Sequence, residues 1–181
     1  MRFVFPCLEY EKKAEDFVQE FFDYSVKIFG TGGLARYLVE STYEKWLAKI
    51  ISNLDIANIP DDKIASFTYF YVRERDDTII GMINICTTLN NFLREEGGHI
   101  TFSIRPSEQR KGYGTQMLWE SLEFCHRIGL REVFLCCAAG SPSSKVAKNC
   151  AGVLSKEYYS DYHMDTMQRY IITPTRERIV L

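Results

Sequence analysis

Residues 99–128 set the strongest limit on what this chain can fold into. From His99 to Pro106 the sequence HITFSIRP alternates, with Ile100, Phe102 and Ile104 on one side and Thr101, Ser103 and Arg105 on the other. A repeat of two is that of a β-strand. Pro106 stops the strand, because proline has no backbone donor for the ladder. A few residues later the repeat changes to that of a helix. Met117, Leu118, Ser121, Leu122, Cys125 and Ile128 share one stripe over residues 112–128, and Gly129 ends it. A strand that feeds a helix through a glycine-containing loop is a unit of an α/β fold.

The rest of the chain supplies the layers around that unit. Residues 2–5 read as a short strand stopped by Pro6. Residues 10–28 place Tyr10, Ala14, Phe17, Val18, Phe21, Phe22 and Val26 on one helical stripe. Gly30-Thr31-Gly32-Gly33 breaks it, and a second helix follows over 42–56, with Thr42 as its cap. Asn58 to Lys63 is a turn-rich connection. Residues 66–73 and 78–88 are rich in β-branched and aromatic side chains and flank Arg75-Asp76-Asp77, which predicts a hairpin. Residues 89–98 form a polar loop with one helical turn. After the long helix come a strand at 131–137, a helix at 141–150, and strands at 152–154 and 166–173 joined by a polar, tyrosine-rich turn. The expected fold class is α/β (α+β). It has a mixed, mainly antiparallel sheet of about six to seven strands flanked by helices, with a strand-helix-strand crossover in its second half.

Composition excludes several classes. With 181 residues the chain suits one domain, 1–181. The net charge is −2 and the basic residues are scattered, apart from Arg110-Lys111, so nucleic acid is not an expected partner. The cysteines at 7, 86, 125, 136, 137 and 150 include no C-x-x-C pair, and there are only three histidines, so no metal site is expected. Most of these cysteines lie in apolar runs, which suggests reduced thiols in the cytoplasm. The start of the chain does not read as a signal peptide, and no apolar run approaches the roughly 20 residues of a membrane helix.

The chemistry concentrates in Ser103–Thr115, SIRPSEQRKGYGT. The first turn of a helix exposes N–H groups without intrahelical partners, at the positive end of the helix dipole. Gly112 and Gly114 allow close approach to the backbone, and Arg110 and Lys111 add charge. Such a site suits a phosphate or pyrophosphate. A plain strand-to-helix turn would also use these glycines. The loop is not a nucleotide P-loop, and Met117 stands where a dinucleotide fingerprint needs its third glycine.

Gln109-Arg110-Lys111-Gly112-Tyr113-Gly114 resembles the Q/R-x-x-G-x-G/A signature of the GCN5-related N-acetyltransferase (GNAT) superfamily. TGGLARY at 31–37, SFTYFYVRE at 66–74, GMINI at 81–85, GGHITFSIRPSEQRKGYGTQML at 97–118 and AGVL at 151–154 resemble one branch of it, bacterial acetyltransferases of unassigned substrate. The resemblance implies acetyl-CoA as cosubstrate and an amine as acceptor. It also implies a splayed strand pair, 99–105 and 131–137, that takes the pantetheine arm. Phe102, Ser103 and Ile104 would offer backbone groups to that arm. Gln109, Arg110, Lys111, Gly112, Tyr113, Gly114 and Thr115 would hold the pyrophosphate. Many members also carry N-x-x-A/S-x-x-x-Y after the second strand, whose tyrosine protonates the departing thiolate. Here those positions hold Gly140, Ser143 and Ala147, so the usual acid is missing.

The expected reaction is direct transfer, in which a neutral amine attacks the thioester and a group on the protein takes its proton. Glu96 and His99, at the entrance to the strand, are the candidates for that relay, although they also read as a solvated loop carboxylate and a hydrogen-bonded strand residue. Tyr158, Tyr159, Tyr162 and Tyr170 are candidate donors to the sulfur, with Tyr170 in the last strand preferred. An acyl intermediate on Cys136 or Cys137 is disfavoured by their apolar setting. The glycine loop and Arg36-Tyr37 are candidate acceptor-pocket residues. The acceptor is a small-molecule or protein amine, and a homodimer is expected by resemblance. Two other readings remain at this point, a non-catalytic acyl-CoA-binding regulatory module and an unrelated phosphate-binding α/β protein.

Overall fold

The computed structural model describes residues 1–54 and 64–174. The expected turn at Asn58–Lys63 and the end of the 42–56 helix lie outside these residues. Seven strands and five main helices are described, and the strands form two sheets, ordered β1-β2-β3-β4 and β5-β7-β6. The pairings β1–β2, β2–β3, β5–β7 and β6–β7 are all antiparallel. The residues group into two compact units, 1–86 with 102–113, and 87–101 with 114 onward.

In the first unit, β1 (Arg2–Val4), β2 (Ser66–Arg73) and β3 (Thr78–Cys86) pair in sequence order of contact, and β4 (Ile100–Ile104) is the last strand of that sheet. Helix α1 (Glu11–Asp23) buries Ala14, Phe17, Val18 and Phe21 of the expected stripe, whereas Phe22 and Val26 are exposed. It stops earlier than the expected residue 28, at a turn where Ser25 takes a left-handed φ of 53°. Helix α2 (Leu34–Glu40) was not expected, because seven residues span two turns and show little periodicity. Helix α3 (Tyr43–Ser52) begins where Thr42 accepts a hydrogen bond from Lys45 N at 3.3 Å. Trp46, Tyr43 and Ile50 of α3 join Phe17, Phe21, Leu34, Phe70 and Met82 in one core. Trp46 Nε1 also donates to Thr31 O at 3.0 Å, which ties the glycine loop to that core.

In the second unit, α4 (Tyr113–Arg127) buries Met117, Leu118, Ser121, Leu122 and Cys125. Ile128 lies beyond the helix end and is exposed. Strand β5 (Val133–Ala138) turns Val133, Leu135 and Cys137 inward. Helix α5 (Pro142–Asn149) is capped by Ser141, whose Oγ accepts from Ser144 N at 3.3 Å. Strand β6 (Val153–Ser160) is longer than expected and pairs with β7 (Asp165–Ile172), so Tyr158 and Tyr159 lie on a strand and only Tyr162 is in the turn. Among the described residues no helix is long and apolar enough to cross a membrane.

Candidate active site

The clean alternation of β4 is modified at the residues expected to meet the cosubstrate. Phe102 is half-buried, while the adjacent Ser103 and Ile104 are both buried. Ser103 is buried because its Oγ accepts from Phe29 N at 2.7 Å, fixing the start of the glycine loop against the strand. A buried hydroxyl needs such a partner. One edge of β4 pairs with β3, and among the described residues its other edge has no strand of that sheet. Gln109 Nε2 donates to Ile104 O at 3.0 Å, so the first signature residue closes the end of β4.

The loop after β4 has the backbone of an anion cradle. Arg110 takes a φ of 61° and Gly112 a φ of 85°. Alternation into the left-handed region turns successive N–H groups toward one concavity. A Cβ on Gly112 would meet no atom within 4 Å, so the chain needs glycine there for its φ and not for space. An arginine in the left-handed region carries a cost of roughly 1 kcal/mol, an outlier that points to function. Among the described residues no backbone hydrogen bond is donated by the N–H of residues 110, 111 or 112. Tyr113, Gly114 and Thr115 then open α4. These residues fit a pyrophosphate. Lys111 differs from the expectation of a free charge, because its Nζ pairs with Glu108 Oε2 at 2.8 Å.

The relay candidates fall in the second unit. Glu96 is on a π-helical turn, Leu93–Gly97. Its Oε2 accepts from Ser160 Oγ at 2.7 Å and lies 3.8 Å from His163 Nε2. Ser160 Oγ in turn accepts from His163 N at 3.0 Å. A carboxylate, a hydroxyl and an imidazole are thus gathered where β6 turns into β7. His99 is arranged differently. Its Nδ1 accepts from Phe134 N at 3.0 Å, which leaves the ring proton on Nε2. Burial, with a smaller contribution from Arg94, pushes its pKa down to about 4. His99 is therefore a neutral acceptor that fastens the start of β4 to β5.

Tyr170 is fully buried, and its hydroxyl donates to Gln168 Oε1 at 2.8 Å. Tyr158 donates to Glu95 O and stands beside Cys136, and burial raises its pKa. Burial also pushes Cys136 up to about 11 and raises Cys137, so both stay thiols at neutral pH. Gly140 precedes α5, and Ser143 is in its first turn. Ala147 has no exposed surface, so a tyrosine at that position would displace its packed neighbours. Arg36 and Tyr37 lie on α2, where Lys49 Nζ bonds Gly32 O at 2.7 Å and lies over the Tyr37 ring. Among the described residues no cluster of three His, Cys, Asp or Glu side chains could hold a metal ion.

Residues 33–149 match the Acetyltransferase (GNAT) family. The chain belongs to that family. It is an acetyl-CoA-dependent N-acetyltransferase, and the comparisons give no support to a non-catalytic role. Solved structures share the fold at low identity. A ribosomal-protein-S5-alanine acetyltransferase from Vibrio fischeri is 14% identical, with a TM-score of 0.66, over 98% of this chain and 93% of its own. The microcin C7 self-immunity acetyltransferase, solved with acetyl-CoA and AMP, is 13% identical at 0.65, over 94% and 91%. A spermidine N-acetyltransferase from Vibrio cholerae, solved with CoA and spermine, is 14% identical at 0.61, over 96% and 95%. No match is found among curated proteins.

Sequence reasoning missed the partners that arrive from far along the GNAT chain. Ser160 and His163 reach Glu96 across more than 60 residues, and Arg73 reaches Glu108 across 35. Glu108 stands inside the signature stretch, yet no local spacing marks it as sheltered.

Proposed function

We propose that the whole chain acts as one domain that moves the acetyl group of acetyl-CoA directly to a primary amine of a small molecule or a protein. The observation that carries this reading is the loop Gln109–Thr115, with left-handed Arg110 and Gly112 at the start of α4. Its N–H groups suit the pyrophosphate, and the free edge of β4 at Phe102–Ile104 suits the pantetheine arm. Gly140 and Ser143, before and within α5, are proposed as further cosubstrate-binding residues.

The amine nitrogen bonds to the thioester carbon as the C–S bond breaks, and the electron pair leaves with the CoA sulfur. Glu96 is proposed to take the ammonium proton, with Ser160 donating to its carboxylate and the His163 ring 3.8 Å away. His99 takes the role of a positioning residue, since its Nδ1 is already an acceptor for Phe134. Tyr170 is the proposed donor to the sulfur, and its hydroxyl must leave Gln168 to act. The solved neighbours act on a ribosomal protein and on a polyamine, which supports amines of either size as acceptors. A cytoplasmic location and a homodimer go with this reading.

The test is CoA release from acetyl-CoA across a panel of polyamines, aminoglycoside-like amines and peptide amines. Turnover with at least one class is expected, and Glu96→Gln should lower kcat by at least about tenfold and alter the pH–rate profile. An unchanged profile in that variant removes Glu96 from the relay.

A further inference from the structure

Two adjacent cations, Arg110 and Lys111, sit in the phosphate loop, and the structure treats them differently. Arg110 is exposed and makes no ion pair among the described residues. Lys111 is held at 2.8 Å by Glu108, whose other oxygen accepts from Arg73 Nη1 at 2.8 Å. Arg73 is at the end of β2, and Asp76 in the hairpin turn takes its Nε at 3.0 Å and its Nη2 at 2.8 Å. Only 13% of the Glu108 side chain and 16% of the Arg73 side chain is exposed, so this pair is sheltered from the solvent that weakens surface ion pairs. The loop is therefore gripped through Glu108 from a strand that is distant in sequence. A second carboxylate grips its start. Glu20 of α1 accepts from Ser107 N at 2.6 Å and pairs with Arg105 Nε at 3.1 Å.

We propose that Arg73, acting through Glu108, is a positioning residue for the phosphate loop, and that Lys111 holds the loop in shape while Arg110 is the cation that meets the phosphates. The inference rests on the reading of Gln109–Thr115 as the pyrophosphate site. It makes a prediction opposite in sign to simple charge attraction. Removing the negative charge of Glu108 frees Lys111 and makes the loop more positive, which by attraction alone would tighten acetyl-CoA binding. If Glu108 is a brace, its loss lets the N–H groups drift and weakens binding instead. The left-handed φ at Arg110 makes this sensitive, because that backbone holds only while its surroundings fix it.

The test is steady-state kinetics and direct binding of acetyl-CoA to the full chain. Glu108→Gln is expected to raise KM for acetyl-CoA roughly three- to tenfold, as loss of a charged hydrogen bond at a sheltered site does, with kcat within about twofold. Lys111→Gln should weaken binding alone but add nothing in the Glu108→Gln background, since both remove one contact. A KM that falls or stays level in Glu108→Gln, or penalties that multiply in the double variant, overturns the proposal. If Glu108→Gln does not fold, Arg73→Lys tests the brace from its other end, with KM for acetyl-CoA expected to rise and a level KM overturning the proposal. Arg110→Gln and Gly112→Ala separate the two levels of the argument. If both leave KM for acetyl-CoA unchanged, the cosubstrate reading itself fails. If both raise it while Glu108→Gln does not, only the brace fails.

Discussion

At the scale of single residues, His99 shows how one strand-entry side chain can be read two ways and then decided by its partners. In sequence it is a titratable group beside a cleft. In the structure its Nδ1 takes the Phe134 N–H, and burial holds its pKa near 4, against about 6.5 in an unfolded chain. Between those values the unfolded chain binds a proton that the folded chain does not. Stability is therefore full above pH 6.5 and falls as pH drops from there toward 4. His99→Asn keeps an acceptor for Phe134 and removes the titration. Denaturant melts across that window should show a flatter acid side for the variant, by on the order of 2 kcal/mol. Equal slopes in both proteins would contradict this account of His99. Glu96 could be picked out in sequence only by position. Its neighbours Ser160 and His163 come from the far end of the chain, and no spacing rule links them to it.

At the scale of elements, the sequence reads best where one face of a strand or helix is buried. β2 spans the expected 66–73, and the buried stripe of α4 was read residue for residue up to Cys125. β6 was expected to end at residue 154 but runs to Ser160, because both its faces are exposed over most of its length and polar residues hide the strand repeat. It is an edge strand with a register shift between Leu154 and Lys156, and a bulge with charged neighbours blunts an edge against unwanted pairing. The signature loop was legible because glycine and charge are local signals, while the commitment of Lys111 to Glu108 was not, since it depends on burial. The joint before β4 offers a test at this scale. Gly98 has a φ of 81°, and a Cβ there would run into the Phe134 carbonyl. Gly98→Ala should destabilise the chain by about 2 kcal/mol or more in a chemical melt, since backbone must move as well as strain. A cost of only a few tenths would mean that the β4 entrance is not held as described.

At the scale of the whole molecule, the family match covers residues 33–149 and so draws on both compact units, with the phosphate loop at the boundary of their sequences. The glycine-rich signature and the element order were enough to name the family from sequence. The catalytic relay is less legible, because Glu96, Ser160 and His163 come together only in the fold. The departure from the family pattern at Gly140 and Ala147 stands in the structure as well, where Ala147 is packed with no room for a tyrosine. The central claim is that this chain holds acetyl-CoA through the loop that begins α4. Calorimetric titration of the purified protein with acetyl-CoA, beside desulfo-CoA and ATP, tests it most directly. The account predicts saturable binding of acetyl-CoA and of desulfo-CoA at about one site per chain, with ATP much weaker because it lacks the pantetheine arm. No heat of binding with acetyl-CoA at millimolar concentration, or ATP binding as tightly, would contradict it.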